Sequence, residues 1–135
     1  MKIGIIGAMA EEVEHLTRDI ENPCSVTVAK RDYTAGTLFG REVVAAFSRW
    51  GKVAAAATTT TLIERFAVDL IVFTGVAGAA APNLEIGDIV VASASMQYDL
   101  DASVLPGLER SGIGRGRPRS RMLRRRQLAA GEDRA

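Results

Sequence analysis

The chain has 135 residues, 47% of them hydrophobic, with 17 Lys+Arg against 16 Asp+Glu, one His and one Cys; this fits one domain with ample apolar content for a core. The net charge of +1 hides a split, because residues 1–107 carry 8 basic and 13 acidic groups whereas residues 108–135 carry 9 Arg and 3 acids. A single cysteine, Cys24, excludes an intrachain disulfide and a Cys-rich zinc site. The lack of a long apolar run or a signal-peptide pattern leads us to expect a soluble, cytoplasmic chain without a membrane segment.

Residues 2–7, Lys-Ile-Gly-Ile-Ile-Gly, are a short β-branched run closed by glycine and read as a strand buried on both faces. From Ala8 the period changes. Met9, Val13, Leu16 and Ile20 form a helical stripe, with Glu11, Glu12 and Glu14 in the early turns where the helix dipole favours acids. Asn22-Pro23 is expected to break that helix, since proline disfavours the α region in the residue before it.

Short strands follow. Tyr33–Leu38 and Glu42–Phe47 flank Phe39-Gly40-Arg41 and read as a hairpin, with Val26–Ala29 pairing nearby. Lys52–Phe66 is alanine-rich and long enough for a second helix despite the poor helix formers Thr58–Thr61. Asp69–Thr74 reads as another apolar strand, running into the small-residue loop Gly75–Pro82, and Ile86-Gly87-Asp88 turns into a strand over Ile89–Ala94. The order β-α-β-β-β-α-β-β predicts an α/β domain with a mixed central sheet and flanking helices.

After Gly107 the character changes. In residues 108–135, Arg115, Arg117, Arg119, Arg121 and Arg124–Arg126 would repel one another on a packed face, so the segment is expected to be a disordered tail. A short helix over Met122–Ala130 is the alternative.

Ligands of open α/β sheets bind at the carboxyl ends of strands, which directs attention to Gly7-Ala8-Met9 and Gly75–Ala81. Neither loop has the Gly-x-Gly-x-x-Gly spacing, and no Gly-Lys-Ser/Thr phosphate loop exists. The small residues alone are explained equally well by close helix–strand packing.

Four blocks in order, Met1–Val13 (MKIGIIGAMAEEV), Gly51–Ala56 (GKVAAA), Thr74–Gly78 (TGVAG) and Ile86–Ala92 (IGDIVVA), resemble bacterial 5'-methylthioadenosine/S-adenosylhomocysteine nucleosidases of the purine nucleoside phosphorylase superfamily. The resemblance covers residues 1–107 and corresponds to the N-terminal half of such an enzyme. It implies a phosphorylase/hydrolase-like fold that is incomplete at its C-terminal side, with residues 108–135 as a non-family tail of the kind a shifted reading frame produces.

The resemblance further implies hydrolysis of the N-glycosidic bond of adenine nucleosides to release adenine, as in methionine salvage, with no metal or organic cofactor. The substrates are then a small adenine nucleoside and water, and a homodimer is the expected assembly. The water-binding catalytic glutamate of the family matches Glu12, and Ala8, Met9, Trp50, Val76, Ala77 and Gly78 are expected to line the nucleoside site. Trp50 stands in Ser48-Arg49-Trp50-Gly51, where relatives carry a small aliphatic residue, and either caps the substrate or covers the core. The family's leaving-group aspartate and ribose-binding Met-Glu pair have no counterpart in the chain.

Each assignment has a plainer alternative. Glu11, Glu12 and Glu14 can be solvated helix-start charges, and Met9 and the small residues can be core packing. His15, with no second histidine near it, reads as structural, and Cys24 as an inert thiol. Tyr98-Asp99-Leu100-Asp101, with Leu105 and Pro106, is either a solvated loop or the family's segment that reaches toward a partner subunit's pocket. The acidic first helix argues against phosphorolysis, since phosphate wants Arg or backbone donors there. A futalosine hydrolase, a nucleoside phosphorylase, or a non-catalytic chain with an RNA-binding arginine tail are the competing functions. The last rests on charge alone, because the tail lacks stacking aromatics, and nucleic acid is not the expected partner.

Overall fold

A computed structural model describes residues 1–92, 95 and 120–123. They fall into two compact units, Met1–Gly78 and the part from Ala79 onward. The first unit contains β1 (Ile3–Gly7), α1 (Ala10–Arg18), β2 (Glu21–Val28), β3 (Arg31–Leu38), β4 (Arg41–Phe47), α2 (Lys52–Phe66) and β5 (Leu70–Phe73).

The sheet order is β2-β3-β4-β1-β5. The strand β1 lies between two parallel neighbours, with Ile5 opposite Ala45 of β4 and Val72 of β5, while β2-β3 and β3-β4 are antiparallel. The expected mixed sheet with flanking helices is therefore present, in the expected element order.

Alternation along the central strands sorts their side chains onto two faces. On one face Ile5, Val43 and Ala45 pack with Val13 of α1, joined by Ile20 and Leu38. On the other, Ile6, Val44 and Ala46 pack with Leu62 of α2, Tyr33 and Val68, and Tyr33 stacks on Phe66 with ring centroids 5.1 Å apart. Each helix thus covers its own sheet face, and the neighbouring strands β1 and β4 are buried between them.

The turns follow local chemistry. Phe39 and Gly40 both take positive φ, 50° and 70°, the pairing a two-residue hairpin turn needs to match strand twist. Gly51 opens α2 at φ 91°, and Ala67 ends it in the left-handed region at φ 51°, where its N–H donates to the Ile63 carbonyl and the next N–H, that of Val68, to the Leu62 carbonyl.

Several limits differ from expectation by a residue or two, and three differences have a structural cause. The helix α1 stops at Arg18 rather than at Asn22-Pro23: the Asp19 N–H turns back onto the Leu16 carbonyl at 3.2 Å, and Ile20 leaves the helix to enter the core. Met9 lies outside the helix as its extended N-cap and is 43% exposed, so it is not part of the buried stripe. The strand β2 begins at Glu21 and carries Asn22-Pro23 within a bulge between Glu21 and Cys24; β2 is an edge strand, where a proline without a donor is tolerated.

In the second unit β6 (Ile89–Ala92) pairs antiparallel with β7 (Ser120–Leu123), Ile89 opposite Leu123. These four residues of the arginine-rich segment are strand, not structureless chain or the start of a helix at Met122. Ladder pairing uses main-chain groups and so does not require an apolar segment. Residues 98–101, Leu105, Pro106 and the rest of the tail lie outside the described residues. No helix among the described residues is long and apolar enough to cross a membrane.

Candidate active site

At the carboxyl end of β1 both neighbouring strands continue to hold the chain. The Ser48 N–H donates to the Gly7 carbonyl at 2.9 Å and the Thr74 N–H to the Ile6 carbonyl at 2.9 Å. The buried Ser48 hydroxyl also lies 3.1 Å from the Gly7 carbonyl oxygen. Three segments are thereby fixed side by side: Gly7-Ala8-Met9 at the centre, Ser48–Trp50 after β4, and Thr74–Gly78 after β5.

Glu12, in the first turn of α1, turns back into this junction. Its Oε2 accepts hydrogen bonds from the Ala8 N–H at 2.8 Å and the Met9 N–H at 2.9 Å, and its Oε1 accepts one from the Val76 N–H at 3.1 Å. Two of these donors belong to the start of α1, where backbone N–H groups lack helical partners. The third comes from the loop after β5. Glu12 is therefore not simply a solvated charge at a helix start.

Donation from the Val76 N–H, with that from Met9 and Ala8, holds the Glu12 carboxyl below the usual glutamate range, against a smaller opposing effect of burial. It is ionised at neutral pH. A carboxylate offers about four acceptor positions; three are taken, and the remaining one on Oε1 is available to an outside donor such as water.

The other candidate residues are distributed around this carboxylate in different ways. Ala8, Met9 and Val76 touch it through their backbones. Ala77 and Gly78 follow on the same exposed loop, with no hydrogen bond to Glu12. Trp50 stands beyond Phe47, which lies opposite Gly7 in the β1–β4 register. Its indole meets the Phe47 ring edge-on at 6.3 Å and remains 76% exposed, so Trp50 does little to cover the core.

Glu11 and Glu14 do not join the cluster; Glu14 pairs instead with Arg18 one helical turn on. His15 is exposed on α1, Cys24 is a free exposed thiol on β2, and no group of three or more His, Cys, Asp or Glu among the described residues could hold a metal ion.

Residue-by-residue reading missed Ser48, Gly7 and Gly75 as parts of the site. Ser48 gave no signal beyond its place before a turn. The glycines lay in loops already singled out, but the reason for them is spatial: built-in Cβ atoms at Gly7 and Gly75 would lie 3.1 Å and 2.8 Å from the nearest Glu12 atoms.

Comparison with known proteins gives the family. The chain matches the phosphorylase superfamily over residues 2–124, a span that runs past Gly107 into the arginine-rich segment. It is 50% identical over 103 residues to a 5'-methylthioadenosine/S-adenosylhomocysteine nucleosidase of Shewanella halifaxensis, covering 76% of this chain and 45% of that protein.

Among solved structures, the nucleosidase of Colwellia psychrerythraea in complex with adenine is similar at a TM-score of 0.73 and 38% identity, covering 98% of this chain and 54% of the other. A futalosine hydrolase mutant of Helicobacter pylori gives a TM-score of 0.65 at 32% identity, covering 76% and 47%. The chain spans a little under half the length of the curated relatives it matches, 45% for the Shewanella halifaxensis protein. With a mixed sheet flanked by helices and a match over residues 2–124, the chain belongs to the phosphorylase superfamily.

Proposed function

We propose that this chain carries the water-side half of a nucleosidase site that hydrolyses the N-glycosidic bond of adenine nucleosides such as methylthioadenosine and adenosylhomocysteine, releasing adenine. The observation that carries this reading is the Glu12 carboxylate, kept ionised by three backbone N–H groups with one acceptor position on Oε1 left over. The similarity to nucleosidases of Shewanella halifaxensis and Colwellia psychrerythraea, the latter bound to adenine, supports the substrate class.

Cleavage of such a bond develops positive charge on the ribose as the base departs. A fixed carboxylate on the sugar side stabilises that charge and accepts a hydrogen bond from the attacking water. Because Glu12 is held ionised, it serves as acceptor and counter-charge and does not protonate the base. The same negative charge disfavours a phosphate nucleophile, which makes hydrolysis the better reading than phosphorolysis. Ala8, Met9, Val76, Ala77 and Gly78 would border the nucleoside, and Trp50 would offer an exposed aromatic face beside it.

Protonation of adenine and recognition of the ribose hydroxyls need groups beyond those of this site. In this reading they come from the portion of the relatives that the chain does not span, the working enzyme is a cytoplasmic homodimer, and the 135-residue chain alone releases little or no adenine. In the same reading residues 1–107 form the nucleosidase half and residues 108–135 add no site residue to it, although residues 120–123 pair with β6.

The test is adenine release from methylthioadenosine by residues 1–107 joined to the C-terminal part of the Shewanella halifaxensis nucleosidase, with and without phosphate. Phosphate-independent release supports the proposal, and release that requires phosphate overturns it. The likeness to the Helicobacter pylori futalosine hydrolase favours one second reading, a different 5'-substituted nucleoside, and futalosine in the same assay separates the two.

A further inference from the structure

We propose that Gly75 is a positioning residue for Glu12: the space left by its missing side chain is what lets the carboxylate reach the Val76 N–H. The inference deepens the nucleosidase reading and rests on it for its functional meaning, but the placement can be tested without turnover.

The argument starts from what surrounds Gly75. A Cβ built there would meet Glu12 Oε1 at 2.8 Å, Glu12 Cδ at 3.1 Å and Glu12 Oε2 at 3.2 Å. All three nearest atoms belong to one carboxyl group. These distances lie inside the roughly 3.5 Å at which non-bonded heavy atoms come to rest. Gly75 is not among the positive-φ residues, so it is glycine for room rather than for backbone freedom.

Gly7 provides the contrast. Its built Cβ would meet Val13 Cγ2 at 2.7 Å and Glu12 Cβ at 3.1 Å, atoms close to the helix backbone or within the buried core. That space belongs to the packing of α1 on β1. At Gly75 the atoms in the way are the far end of a flexible side chain, held by hydrogen bonds that rotation of its own torsions can give up. A methyl group at 75 therefore leaves the scaffold intact and pushes the carboxylate off.

The neighbours of Gly75 make the consequence specific. Thr74 is held to β1 by its N–H bond to the Ile6 carbonyl, and Val76 donates to Glu12 Oε1. Gly75 is the single residue between these two anchors, so Oε1 can approach the Val76 amide only across its face. Displacement of the carboxylate breaks the Val76–Glu12 hydrogen bond that joins α1 to the loop after β5, and moves the acceptor position offered to water.

The experiment is NMR of the 135-residue chain, following the Val76 amide proton and the titration of the Glu12 side-chain carboxyl carbon in wild type and Gly75→Ala. The same substitution is then made in a Glu12→Ala background. The expected result is a folded Gly75→Ala chain with the dispersed spectrum of wild type and a melting temperature no lower than that of Glu12→Ala, an upfield shift of the Val76 amide, and a Glu12 titration midpoint moved up toward that of an ordinary glutamate. In the Glu12→Ala background, Gly75→Ala should move the Val76 amide much less, by only the amount that changing the preceding residue produces.

A Val76 shift that is the same with and without Glu12, together with an unchanged Glu12 midpoint in folded Gly75→Ala, overturns the inference. Loss of folding in Gly75→Ala also overturns it, because the space then serves the scaffold. None of these readouts depends on adenine release. A failed nucleosidase assay with moved NMR signals rejects the function and leaves the placement standing, whereas unmoved signals reject the placement alone.

Discussion

Glu12 Oε1 accepts a hydrogen bond from the backbone N–H of Val76 at 3.1 Å, across a sequence separation of 64 residues. The contact exists because β1 and β5 are parallel neighbours, so the helix that follows β1 and the loop that follows β5 emerge at the same end of the sheet. It turns a helix-start glutamate into a carboxylate shared by two loops.

Replacing Glu12 by Gln removes the charge while keeping the shape. In the joined enzyme described above, Glu12→Gln should lower kcat for adenine release by about 10²–10⁴-fold, with a much smaller change in KM. Steady-state kinetics on methylthioadenosine measure this, and a loss confined to KM would assign Glu12 to binding alone.

Acid should weaken the fold through the same residue. Because the folded carboxyl of Glu12 lies below the usual range, its contribution to stability is complete above the ordinary glutamate value, about 4.3. It fades as pH falls through the lowered folded value. Urea midpoints measured from neutral pH downward should show wild type losing its advantage over Glu12→Gln in that acid window, with a constant difference above it.

Gly7→Ala should cost more stability than Gly75→Ala, which gives up only the hydrogen bonding of the Glu12 carboxylate. The added methyl would press on Val13 Cγ2 at 2.7 Å and on Glu12 Cβ at 3.1 Å; overpacking of this kind costs about 1–3 kcal/mol. Urea denaturation of the two variants against wild type reads the difference directly.

Ala67 ends α2 in the left-handed region at φ 51°, a conformation that costs an L-residue with a Cβ about 1–2 kcal/mol and glycine almost nothing. Part of the gain from Ala67→Gly is offset by the greater freedom of glycine in the unfolded chain. The net effect should be a stabilisation of up to about 1 kcal/mol, visible as a higher melting temperature.

Much of the fold could be read locally. The β1 run, the hairpin around Phe39-Gly40 and the helix over Lys52–Phe66 each carry their signal within a few residues, and all three stand where expected. Elements whose limits depend on distant partners were misplaced. The helix α1 gives up its last turn so that Ile20 can enter the core beside Leu38, β2 starts early because Glu21 finds a partner in Thr37, and β7 exists because β6 supplies a ladder. No short-range pattern in those segments announces such partners.

The sequence by itself determined the residue types at the site: an acidic first helical turn after an apolar strand, and a loop of small residues after another. Tertiary structure decided what they do together. Parallel pairing of β1 with β5 and β4 leaves no local trace, since the strands are joined through helices and distant segments. That pairing brings the Val76 N–H to Glu12, sets the empty side of Gly75 against its carboxylate, ties Ser48 to Gly7, and leaves Trp50 exposed. Hydrogen bonds and steric clearance act over a few ångströms of space, and for these residues the sheet alone brings that space into being.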